Sequence, residues 1–181
     1  MPRPVADYAQ FYEITDTSPA LDHQAKELLG DTNALPDGVE AARIVSRYIN
    51  SRIWDRSVSP PQPINKAKTL LESRFTPASS LFAAPRSSCG AVATLAASLL
   101  RSGGFSVRLI HGDRPNSDQH AWNEIWIARN NAWHIFDASS GKGIDYAITP
   151  MYLRRAECAD WSELRVMLEA EHRQNLERVT P

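Results

Sequence analysis

Cysteine is scarce: the 181 residues carry two, Cys89 and Cys158. Two thiols can build neither a disulfide framework nor a cysteine-ligated zinc site. An excess of charge of either sign is also missing, with 20 Lys and Arg against 21 Asp and Glu and a net charge of −1. So balanced a chain offers no bulk attraction for nucleic acid or an anionic membrane, and neither is expected as a partner. No apolar run approaches the roughly 20 residues of a membrane-spanning helix. The opening Met-Pro-Arg-Pro-Val-Ala-Asp-Tyr holds no apolar signal core, so the cytoplasm is the expected location. Internal repeats and low-complexity blocks are lacking as well. What is present is an ordinary hydrophobic fraction of 43%, enough for one self-sufficient core.

Helical signals dominate the first half. Ser18-Pro19 reads as an N-cap with proline at the first helical position; Leu21, Ala25, Leu28 and Leu29 make an apolar stripe, and Gly30 closes it. Asp37 and Glu40 have capping-box spacing, and Val39, Ala42, Val45, Ile49 and Ile53 follow with roughly helical period, predicting a helix over about 38–52. Pro60, Pro61 and Pro63 break the chain, and Asn65 is placed to cap a short helix carrying Ala67, Leu70 and Leu71. Residues 74–88, with Pro77 and Pro85 among small polar residues, read as an irregular loop. Cys89 to Arg101 is rich in alanine and ends at Gly103-Gly104. A helix small on nearly every face fits a buried, closely packed position.

Beyond the glycines the period changes to two. Phe105, Val107 and Leu109 alternate with Ser106 and Arg108, which predicts a strand. His120–Ile127 and Ala132–Asp137 are two further strands, joined by a turn at Arg129-Asn130-Asn131. Asp160 and Glu163 repeat the capping-box spacing ahead of Trp161, Leu164 and Leu168, which predicts a terminal helix. Helices first, then an antiparallel sheet, is the order of an α+β fold.

A thiol nucleophile requires a stabilised thiolate, a base beside it, and a group that orients the base. Cys89 stands at a predicted helix start, where the helix dipole and free N–H groups favour a thiolate and can form part of an oxyanion hole. His120 opens one predicted strand and Asp137 closes the next. A two-residue loop at 130–131 sets Asp137 opposite residue 124, and a four-residue loop at 128–131 sets it opposite residue 122. Both put it on the face of His120, and the longer loop brings it within reach, since diagonal neighbours lie about 7–8 Å apart. A three-residue loop would separate the two groups onto opposite faces.

The stretch from Cys89 through Leu99-Leu100-Arg101, Gly103-Gly104 and Val107-Arg108-Leu109 to Gly112 resembles the nucleophile helix and following strand of the transglutaminase-like superfamily. His120-Ala-Trp-Asn-Glu-Ile-Trp-Ile and Trp133-His-Ile-Phe-Asp137 resemble its histidine and aspartate strands, in the same order. The match is strongest over 86–140 and is consistent with one catalytic domain over 1–181, with 1–17 and 150–181 as candidate appendages. The resemblance implies a papain-like α+β core, a central nucleophile helix packed on an antiparallel sheet, and a Cys89-His120-Asp137 triad. Cys89 would attack an amide, ester or thioester carbonyl to give a thioester, His120 would serve as base and then acid, and Asp137 would orient His120. An amine or water would resolve the intermediate. No calcium loop is visible, so no metal and no cofactor are expected.

Some relatives support the oxyanion with a side chain upstream of the cysteine, and Trp54 and Gln62 are the candidates here. Trp122 and Glu124 share the strand face of His120 and are candidates for supporting it or lining the substrate cleft. Trp126 continues that face. His134 has the wrong parity for a base, and His111 is a weaker alternative to His120. Cys158 stands in no motif. Ser87-Ser88 replaces the Gly-x that often precedes the family's cysteine, which bears on substrate approach. The expected partner is a peptide, protein or small-molecule acyl substrate, with an amine acceptor as an option. A peptidase or amidase, an arylamine acetyltransferase, and a non-catalytic peptide-binding module on the same fold are the alternatives.

Overall fold

Ser18 opens the first helix through its hydroxyl, which accepts the Leu21 N–H at 3.3 Å. Helix α1 (Pro19–Leu29) buries Leu21, Ala25 and Leu29 and ends at Gly30, whose φ of 82° favours glycine. The computed structural model describes residues 17–30, 36–54, 76–84, 88–113, 119–140, 143–144 and 153–156. Helix α2 (Gly38–Trp54) starts at Asp37, whose Oδ1 accepts the N–H groups of Val39 at 2.8 Å and Glu40 at 3.0 Å. The reciprocal half of the expected capping box is not seen: Glu40 pairs with Arg47 at 3.1 Å instead. Gly38 lies so close to the sheet that a Cβ there would come within 2.7 Å of Ile127 Cδ1, so a larger residue would force the Ile127 side chain to shift.

Within the expected loop at 74–88 a short helix forms, α3 (Ala78–Ala83). Its start carries no side-chain cap, and it is held by burying Ala78 and Leu81. Local propensity is weak there, and tertiary packing overrides it. Helix α4 (Cys89–Ser102) follows, with Ser88 Oγ accepting the Ala91 N–H at 3.2 Å. All residues from Gly90 to Leu100 are buried, as the alanine-rich pattern requires. At its end Phe105 N–H reaches Leu100 O and Gly104 N–H reaches Arg101 O, with Gly104 at φ 86°. This paired closure needs a left-handed residue and explains the glycine.

The sheet order is β4-β3-β2-β1-β5, all neighbours antiparallel, with β1 (Val107–Asp113), β2 (Gln119–Ile127), β3 (Ala132–Asp137), β4 (Gly143–Ile144) and β5 (Leu153–Ala156). Ile127 pairs with Ala132 and Asn123 with Phe136, so the hairpin has the longer, four-residue connection. Ala128–Asn130 form a 3-10 turn and Asn131 takes the left-handed conformation at φ 50°. That is a conformation asparagine tolerates better than most side chains. Val107, Ile125, Ile127 and Phe136 face the helices and join Leu21, Val45, Ile49, Leu95 and Leu99 in the main core. Ile110 and Trp122 form a smaller cluster with Ile135. Asn123 crosses between layers, its Nδ2 donating to Ala93 O of α4 at 3.0 Å. The expected helices at 65–71 and after Asp160 lie outside the described residues.

The Asp37 cap supplies a test of this account. Asp37→Ala should lower unfolding stability by about 1 kcal/mol in chemical denaturation, while Asp37→Asn, an equally good cap, should stay within a few tenths of the parent. A matching loss in Asn would shift the credit to the Asp37–Arg129 ion pair, 3.0 Å long on the surface.

Candidate active site

The reactive groups stand where three regular elements begin or end. Cys89 is the first residue of α4, so its thiol sits over the N-terminal end of a buried helix, and it is partly exposed while its successors are not. The unsatisfied N–H groups and dipole of such an end favour an anion. His120 is the second residue of β2, paired with Gly112 of β1, and Asp137 is the last residue of β3. Their side chains are 2% and 3% exposed, and His120 Nε2 lies 2.8 Å from Asp137 Oδ2. Nε2–H donates this bond whether the ring is neutral or protonated, which leaves Nδ1 on the side away from the carboxylate. Nδ1 is buried too. Cys89 acts on the same ring, and its charge favours the protonated form.

Burial pushes the His120 pKa down, but its hydrogen bonds to Asp137 and to Cys89 and the charges of both outweigh that, raising the pKa from 6.5 to about 9. The imidazolium is therefore the favoured form at neutral pH. Because the folded pKa is raised, this group's contribution to stability is complete below about pH 6.5 and is lost as pH rises through about 9.

The Asp137 carboxylate is held at its second oxygen as well. Ser139 donates to Oδ1 twice, from its backbone N–H at 2.9 Å and its hydroxyl at 2.6 Å. Asn50 of α2 donates to Ala138 O at 2.8 Å, tying the turn after Asp137 to the helical layer.

Alternation along β2 places Trp122 and Glu124 on the side of His120. The Trp122 ring stacks on the imidazole, centroids 6.2 Å apart and planes 21° apart, and is almost fully buried. Glu124 is engaged by Arg108 of β1, with Nη2 at 2.6 Å and Nε at 2.8 Å from one carboxylate oxygen. The Arg108 guanidinium lies 4.3 Å over the Trp133 ring, which meets Trp126 edge-on at 5.5 Å. Trp54 ends α2, but its side chain, Gln62 and Cys158 lie outside the described residues. His134 bonds to Asn130 at 3.0 Å. The sequence reading did not pick out Ser139, Asn50, Asn123 or Arg108. Asp137-Ala-Ser139 has the spacing at which an Asp side chain and a nearby N–H form a local turn, and that was the available signal.

A family model described as the transglutaminase-like superfamily matches residues 23–138, which include Cys89, His120 and Asp137. The crystal structure of a candidate cysteine protease from Cytophaga hutchinsonii superposes with a TM-score of 0.58 at 18% identity, covering 90% of this chain and 52% of that one. This chain thus spans about half the length of that protein, and the likeness establishes a shared fold. No curated protein matches the sequence. Among the described residues no helix is long and apolar enough to cross a membrane.

Titration of the His120 ring by NMR should give a midpoint well above 6.5 and near 9. Asp137→Asn should lower it by a unit or more, roughly, because the buried ring then keeps its desolvation cost and loses the carboxylate. A midpoint below 6.5 in the parent would contradict the described geometry.

Proposed function

The chain belongs to the transglutaminase-like superfamily, and we propose that it performs cysteine-dependent acyl chemistry at an amide or related carbonyl through a Cys89 thioester. One observation carries the reading: a buried imidazole bonded to Asp137 at 2.8 Å is also acted on by Cys89 at the α4 start, which favours its protonated form. A histidine with a carboxylate on one nitrogen and a thiol on the other is the arrangement a nucleophilic cysteine requires.

Cys89 attacks the carbonyl carbon as a thiolate while His120 holds the proton as imidazolium. The developing oxyanion is met by N–H groups at the start of α4. His120 then gives its proton to the leaving amine or alcohol, and the acyl group stays on sulfur as a thioester. The acceptor, an amine or water, loses its proton to His120 as it attacks, and the thiolate returns. Asp137 keeps the imidazole in one tautomer and orientation throughout and stabilises its cation. Trp54 and Gln62 stand as candidates for an additional oxyanion donor.

Amine transfer and hydrolysis share every step up to the thioester. The description of the Cytophaga hutchinsonii protein as a candidate cysteine protease supports thiol attack on an amide. The buried aromatic surface beside His120 supports a dry approach in which an amine competes with water.

Iodoacetamide should alkylate Cys89 faster than free cysteine near neutral pH, and His120→Ala should slow that reaction by tenfold or more, roughly, as the thiolate loses its counter-ion. Equal, slow labelling in both would point to a binding module without thiol chemistry. Turnover with any acyl donor should fall as pH rises through about 9, where His120 gives up the proton that the leaving group needs.

A further inference from the structure

We propose that Ser139 is a positioning residue: its hydroxyl fixes the plane of the Asp137 carboxylate and so decides which oxygen serves His120. This rests on the proposed roles of Cys89, His120 and Asp137. An aspartate carboxylate turns about its terminal torsion with a broad, twofold profile, so a single hydrogen bond at one oxygen does not fix its plane. In this structure both oxygens are engaged, with different partners. Oδ2 takes His120 Nε2 at 2.8 Å, and Oδ1 takes the Ser139 N–H at 2.9 Å and its O–H at 2.6 Å. The N–H bond alone would complete a local turn at the end of β3. The hydroxyl adds a short bond to an ionised oxygen, the stronger kind.

The support beneath Ser139 is also built in. Asn50 donates to Ala138 O at 2.8 Å and to Ser46 O, one turn back on α2, at 2.8 Å. A continuous set of bonds therefore runs from α2 through the 138–140 turn to Asp137 and on to His120. Ser139 is the member of that set whose side chain touches the carboxylate without touching the imidazole.

The hydroxyl has two effects of opposite sign on His120. As a donor it withdraws charge from the carboxylate, which weakens the hold on the imidazolium. As a clamp it keeps Oδ2 in line with Nε2, which strengthens that hold. Hydrogen-bond strength falls steeply with misalignment, and it does so most in a buried, low-dielectric site, so the clamping effect prevails. The charged groups acting on His120 are Asp137 and Cys89. Glu124, further along the same strand face, is neutralised by Arg108.

The test uses the full chain with Ser139→Thr, Ser139→Val and Ser139→Ala. Thr and Val are nearly isosteric and differ in the hydroxyl. Each variant is followed by the His120 NMR midpoint, by the pH profile of Cys89 alkylation and by thermal unfolding. Val and Ala should lower the His120 midpoint and slow alkylation near neutral pH by about three- to tenfold, and Thr should restore both. Identical profiles for Thr and Val, or a midpoint that rises in Val and Ala, would overturn the inference. If Ala fails to fold, the Thr–Val comparison decides alone. Asp137→Asn separates the two levels. If it leaves the midpoint and profile unchanged, the triad reading fails and this inference falls with it. If it shifts both while Val matches Thr, only the role of Ser139 fails.

Discussion

A buried histidine bonded to a buried carboxylate is the constraint around which this structure is organised. Neither group is tolerated inside a protein on its own. Burial works against a charged imidazole, and an unpaired carboxylate costs still more. The two must therefore meet, and at 2.8 Å they do. Meeting requires that β2 and β3 pair in the register that sets Asn123 against Phe136, which requires the four-residue connection at 128–131. The connection in turn needs a left-handed residue, and Asn131 supplies it. A hairpin shorter or longer by one residue would turn Asp137 to the other face and leave both groups stranded.

The thiol joins this pair from a separate layer, so its position depends on how α4 sits on the sheet. Small residues along α4 let it lie close, and the Asn123–Ala93 bond fixes its height against β2. Cys89 is one helical turn from Ala93 and His120 three residues from Asn123 along β2. Gly38 plays a related part, since its missing side chain lets α2 approach Ile127 at the hairpin. The energetic burden of holding charged groups in the interior is met by packing that tolerates little change.

Much of this was legible in the sequence. The cap at Ser18, the stop at Gly30, the alanine-rich helix from Cys89 and the three strands to Asp137 are local signals, and each element formed where its own residues placed it. The hairpin parity could be worked out from the position of the turn alone, because side chains alternate in a strand. What the sequence hid is what depends on partners far along the chain. The helix at Ala78–Ala83 has no cap and little propensity, and only burial of Ala78 and Leu81 explains it. Glu40 had a cap to complete and found Arg47 instead. Ser139 reads as one serine in a polar turn until the carboxylate two residues earlier is seen to face inward. Glu124 was recognised by its strand face, but its partner Arg108 lies on another strand, and no spacing rule would have joined them.

The central claim is that the Cys89 sulfur carries the acyl group. Intact-mass analysis after brief incubation with a panel of activated amide and ester donors, quenched in acid, tests it most directly. The account predicts a mass gain equal to the donor's acyl group, located on the peptide containing Cys89, absent from Cys89→Ser and discharged by an added amine or on standing in water. A gain that persists in Cys89→Ser, or no gain with any donor in a protein whose Cys89 is readily alkylated, would contradict it.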